Sequence, residues 1–165
     1  MKKLLALFVC LCACFSLCSC GGESSSLDIL CELLAMGKYG TEGEACVYSS
    51  AAQEGEVGYF ADELKIILYG EKRAAECFPL VEECAVYISP NKLEELAVFK
   101  CYSRSDTDSI AAMCLERADS LSVALNSIDS LNKNQKAHVE IHGRYVFFSF
   151  IDQSESLIKR FRELT

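Results

Sequence analysis

A chain of 165 residues is long enough to bury one substantial core and short for two, so a single domain is expected. Its 24 acidic side chains against 16 basic ones leave a net charge of −8, an excess that phosphate backbones and anionic lipid headgroups repel; this argues against nucleic-acid binding and against a polybasic membrane contact. No phosphate loop, dinucleotide fingerprint or G-x-S-x-G elbow occurs, so no enzyme class announces itself.

The chain opens with Met1-Lys2-Lys3, runs almost wholly apolar from Leu4 to Leu17, and then reaches small residues. Those are the parts of a signal peptide in their order, and the apolar run falls short of the ~20 residues that a membrane span needs. Leu17-Cys18-Ser19-Cys20 resembles the lipobox of bacterial lipoproteins, which implies cleavage before Cys20 and lipid attachment at Cys20. Leu11-Cys12-Ala13-Cys14 matches the same box, but using it would shorten the apolar segment and leave Phe15 and Leu17 at the mature start. An ordinary secreted protein cut nearby, or an uncleaved anchor, is the alternative. The expected organisation is a signal peptide over 1–19, the lipidated cysteine with a flexible polar tether over 20–26, and one α+β domain over 27–165. Without the leader, 14 basic and 24 acidic residues remain, a net charge of −10. A diacylglyceryl thioether carries two acyl chains, enough for stable anchoring, so the expected location is the extracytoplasmic face of the cell membrane.

Ser25-Ser26-Leu27-Asp28 has the form of a capping box, followed by Leu27, Leu30, Cys31 and Leu34 at helical spacing, with Gly37 and Gly40 as the stop. A strand through Cys46-Val47-Tyr48 is expected, then a loop at Gly55 and Gly58; the fold of residues 38–60 is the least legible. Asp62 caps a helix with Leu64, Ile67 and Leu68 on one side and Gly70 as its end, and a further turn over 73–78 ends at Pro79. Residues 85–89 and 96–102 read as a hairpin. Pairing Ser89 with Leu96 places Val86, Ile88, Ala97 and Phe99 on one face, and Tyr87, Val98 and Lys100 on the other. A helix over 106–126 carries the stripe Ile110, Met113, Cys114, Ala118, Leu121 and Leu125, with Ser105 or Asp106 as cap. A second hairpin over 137–151 turns at Gly143-Arg144, where glycine suits a type II′ turn. Pairing His142 with Tyr145 puts Val139, Ile141, Val146, Phe148 and Phe150 on one face. A last helix from Asp152 or Ser154 buries Leu157, Ile158, Phe161 and Leu164.

The order strand, strand, helix thus occurs twice, and the expected fold is a two-layer α+β sandwich: a four-stranded antiparallel sheet from two ββα units, with N-terminal helices added. Leu68-Tyr69-Gly70, the hairpin Ala85-Val86-Tyr87-Ile88-Ser89 with Leu96-Ala97-Val98-Phe99-Lys100, and Gly143-Arg144-Tyr145-Val146-Phe147-Phe148 before a terminal helix resemble small Gram-positive bacterial lipoproteins that carry the domain of unknown function 4358. The resemblance spans residues 27–164, with 38–60 departing most. It implies an extracytoplasmic lipid-anchored domain, and brings no activity, ligand or catalytic residue with it.

Cys10, Cys12, Cys14 and Cys18 fall in the leader. Cys31, Cys46, Cys77, Cys84, Cys101 and Cys114 remain beyond Cys20, with no C-x-x-C spacing, and read mostly as small buried hydrophobes. The assumed register sets Cys84 opposite Cys101, close enough for a cross-strand disulfide. His138 and His142 lie ~13 Å apart along one strand and cannot share an ion, so no metal and no cofactor is expected. The sharper binding idea is the second sheet face, where Tyr87, Tyr145 and Phe147 lie with His138 and His142; the first expectation is that N-terminal helices cover it. The function expected is a non-catalytic, lipid-anchored module whose partners are the membrane, through its anchor, and an envelope protein, peptide or glycan, with no nucleic acid. The alternative is a small envelope enzyme or thiol redox protein using Cys84 or Cys101.

Overall fold

The computed structural model describes residues 23–37, 45–128, 131, 134–152 and 154–165. The leader, Cys20 and Gly40 lie outside the described residues. Helix α1 (Ser26–Ala35) begins where its capping box requires: the Ser25 hydroxyl accepts the Asp28 N–H at 3.0 Å and donates to the Asp28 carboxylate at 2.8 Å. Its buried face is Ser26, Ile29, Leu30 and Leu33, rotated from the stripe the leucine spacing indicated, so that Cys31 is exposed. Strand β1 (Cys46–Ser49) follows, then α2 (Asp62–Tyr69) and α3 (Glu71–Cys77), divided at Gly70. Ile67, expected to face inward from α2, is 73% exposed, while Leu68 and Tyr69 are buried.

The two hairpins are β2 (Val81–Ser89) with β3 (Glu94–Cys101), and β4 (Lys136–His142) with β5 (Tyr145–Ile151); α4 (Thr107–Ser127) lies between them and α5 (Glu155–Leu164) comes last. The second hairpin has the expected register, His142 opposite Tyr145. Gly143 has φ +57° while Arg144 stays in negative φ, as a II′ turn requires and a I′ turn does not. In the first hairpin Ser89 faces Glu94 and Tyr87 faces Leu96, two residues from the expected pairing. A shift of two preserves which side chains share a face. It does move the cysteines: Cys84 stands opposite Phe99 and Cys101 opposite Val81, and both are free buried thiols. The expected bridge between them is therefore not made.

The fold is α+β, and all five strands pair antiparallel in the order β1-β2-β3-β5-β4. The sheet has one strand more than expected because β1 adds to the edge of β2, Cys46 opposite Ile88. Every residue of β5 is buried, and a strand apolar on both faces needs cover on both. One core gathers Val86, Ala97, Phe99, Val146, Phe148 and Phe150 under α4, with Leu68 and Tyr69 of α2. The other gathers Ala85, Tyr87, Leu96, Val98, Tyr145 and Phe147 under α1 and α5. The helices that follow the two hairpins, expected on one apolar face, thus take opposite faces, and the two-layer sandwich is corrected to a sheet with helices on both sides. Phe161 of α5 stacks on Phe147 with ring centroids 5.3 Å apart, a contact that ties α5 to the face that N-terminal helices alone were expected to cover.

Candidate functional site

At the end of the sheet where residues 90–93 connect β2 to β3, a pocket of about 290 Å³ opens between the strands, α2 and α4. Its walls are apolar: Tyr48 from β1, Ile88 from β2, Leu93 from the turn, Leu64 and Leu68 from α2, and Leu121 from α4, with the exposed Cys46 at the rim. The polar part of its lining comes from Ser89, Glu94, Glu95 and Arg117. A largely apolar cleft with a few convergent polar groups is the usual make-up of a ligand site, and this volume lies near the lower end of the range, roughly 300 Å³.

The alternation of β3 sends Glu95 to the same side as Ala97 and Phe99, into the core under α4, where it is 1% exposed. Arg117 reaches it from α4, Nη2 to Oε2 at 2.8 Å and Nε to Oε2 at 2.9 Å. The Tyr69 hydroxyl donates to the other oxygen at 3.2 Å. Burial pushes the Glu95 carboxyl upward, opposed by Arg117 and by the Tyr69 hydroxyl. Burial likewise raises Glu94, with Lys92 opposing, and its buried Oε2 has no hydrogen-bond partner among the described residues. Leu93, at φ +52°, is the one non-glycine in the left-handed region among the described residues, and such strain persists only where the surroundings hold it. The arrangement can seat an apolar group against the walls that these elements supply.

The residues picked from sequence lie elsewhere. Tyr87, Tyr145 and Phe147 are 3%, 3% and 0% exposed beneath α1 and α5, so this face is a second core, covered by the N-terminal helix α1 as first expected and by α5 as well. His142, on the exposed edge strand, meets the Thr165 hydroxyl through Nδ1 at 2.8 Å, and His138 lies 3.8 Å from Glu140. Among the described residues no group of three or more His, Cys, Asp or Glu is placed to hold a metal ion, and no helix is long and apolar enough to cross a membrane. Cys84 and Cys101 share the core under α4, where burial pushes their thiols up to about 12 and about 11. A thiolate is then scarce at neutral pH.

Glu95, Arg117 and Tyr69 were missed. The pair Glu94-Glu95 reads as solvated turn residues, yet Glu95 continues the alternation of Ala97 and Phe99, and an acid in phase with a core face is the signal that was available. Arg117 sits beside Ala118 on the stripe of α4 and reads as a flank. Comparison of the chain with protein-family models, with curated proteins and with solved structures found no match.

Proposed function

We propose that the chain is a non-catalytic lipoprotein domain, tethered through Cys20 to the outer face of the cell membrane, that holds an envelope protein or peptide by seating one of its side chains in the Leu64, Leu68 and Leu121 pocket. Anchoring rests on the order of features in the leader, from Lys2 and Lys3 through the apolar run to Cys20. The binding role rests on a single observation, the largely apolar pocket whose lining also includes Glu94, Glu95 and Arg117. An aromatic side chain such as tryptophan or tyrosine fits the walls, its ring meeting Leu64 and Ile88. Glycans fit less well, since a sugar would leave many hydroxyls against aliphatic walls.

The chain contains no tryptophan, so the emission of an added tryptophan peptide reports on its own surroundings without background. Titration of the protein into N-acetyltryptophanamide or short Trp-containing peptides is expected to shift that emission to the blue. The shift is lost in Cys46→Arg, which obstructs the rim from an exposed position. Emission that stays that of water at every protein concentration rejects the pocket as the binding site. Anchoring is tested separately by the mass of the N-terminal peptide from protein made in its host: a diacylglyceryl group on Cys20 is expected, and an intact leader refutes it.

A further inference from the structure

Residues 23–26, the end of the stretch expected to be a flexible tether, are docked onto the domain. Arg144 Nε donates to Glu23 Oε1 at 2.9 Å, and its second fork arm meets Glu23 Oε2. Lys100 Nζ lies 3.2 Å from the same carboxylate. The Tyr145 hydroxyl donates to the Ser24 carbonyl at 2.8 Å, and the Ser24 hydroxyl donates to the Leu164 carbonyl at 3.1 Å. Ser26 then donates to Glu83 through its N–H at 3.0 Å and its hydroxyl at 3.1 Å. Between Cys20 and the first of these contacts stand only Gly21 and Gly22. Three backbone steps span at most ~11 Å.

We infer that the end of the sheet formed by Lys100, Arg144 and the Gly143 turn rests against the lipid headgroups, which leaves the pocket facing away from the membrane. The inference rests on acylation of Cys20. Its charge agrees: Arg144 and Lys100 also pair with Glu82, so two cations answer two acids at this end, although the mature chain carries −10 overall. Tyr102, just past β3, is 64% exposed there, and tyrosine is a residue that membrane interfaces favour. The pocket lies at the far end of β2, whose nine residues from Val81 to Ser89 make eight steps, or ~26 Å at strand rise. A headgroup layer is only ~5–8 Å deep on each side, so a partner enters the pocket clear of the lipid.

The test uses the acylated protein from its host in nanodiscs containing a gadolinium-chelating headgroup lipid, read by loss of backbone amide signals. Tyr102, His142 and Gly143 should lose signal, whereas Asn91 and Leu93 should keep it. A variant with a Gly/Ser spacer of about ten residues inserted between Gly22 and Glu23 should lose the contrast. Equal loss at both ends in the natural chain overturns the orientation, and contrast that survives the spacer overturns the short tether as its cause. The mass of the Cys20 peptide in the same sample separates the two failures: an unmodified Cys20 removes the anchoring reading itself, while an acylated one without contrast removes only this inference.

Discussion

Glu95 is a carboxylate on the core face of a strand, and Arg117 makes that tolerable. At 16% side-chain exposure Arg117 is itself well shielded, so the pair lies where removing one partner leaves a charge that water cannot reach. Arg117→Met keeps the aliphatic stem and deletes the cation; it is expected to cost about 3–5 kcal/mol at pH 7 by urea denaturation. The cost should shrink on acidification, because burial already raises the Glu95 carboxyl and a protonated Glu95 needs no cation. A loss equal at pH 5 and pH 7 would mean that the ionised Glu95 left without its cation is not what carries the effect. The cysteines give a second check at this scale. Cys31 and Cys46 are exposed, whereas Cys77, Cys84, Cys101 and Cys114 are buried, and burial raises all four buried thiols. A water-soluble maleimide should modify the first two in the native protein and the other four only in denaturant. Fast modification of Cys84 or Cys101 under native conditions would revive the thiol-enzyme alternative.

At the scale of elements, strand faces and helix positions were legible where a period was repeated often enough. The stripe of α4, from Ile110 to Leu125, is buried at each position named from spacing, because 21 residues give the period room to declare itself. Short α2 gives it none, and Ile67 falls outside. The β2–β3 register was missed because Glu94 and Glu95 were assigned to the connection by their charge, while Leu93 in the left-handed region closes a tighter turn and frees both for β3. Helices on both faces were also foreshadowed: Tyr145-Val146-Phe147-Phe148-Ser149-Phe150-Ile151 is close to a continuous apolar run, which marks a doubly covered strand and not a half-solvated one. The pocket was not legible, since its walls come from five elements far apart in sequence. Phe161→Ala removes the ring stacked on Phe147 and opens a void under α5, with an expected cost of about 3–5 kcal/mol. Ile67→Ala, from a helix position that was thought to be core, should change stability by no more than about 0.5 kcal/mol. Comparable losses for the two would contradict the assignment of α5 as the cover of the second face.

For the molecule as a whole, two sets of acids bear on stability from opposite sides. Hydrogen bonds from Arg144, Lys65, Arg73 and Arg162 hold Glu23, Asp62, Glu116 and Glu140 below their ordinary values, Glu23 at about 2. A carboxyl depressed on folding adds stability above its unfolded value, about 4.5 for a glutamate, and the gain fades as pH falls toward the folded value. Glu94 and Glu95 act in reverse: burial raises them, so their contribution is complete below about 4.5 and is lost as pH rises through their folded values. The net charge of −8 works in the same direction as this second set, since self-repulsion grows as the acids ionise. Stability should therefore be highest above about 4.5, where the first set is ionised, and fall again as pH rises through the raised values of Glu94 and Glu95. Urea midpoints from acid to mildly alkaline pH measure this directly, and a midpoint that climbs steadily to the alkaline end would contradict it. Two variants separate the limbs. Glu23→Gln removes one depressed acid and should flatten the acid side alone, while Arg117→Met withdraws the cation that restrains Glu95 and should steepen the fall on the alkaline side. An acid limb unmoved by Glu23→Gln would mean that Glu23 is not held by Arg144 in solution, and the short tether would lose the contact that defines it.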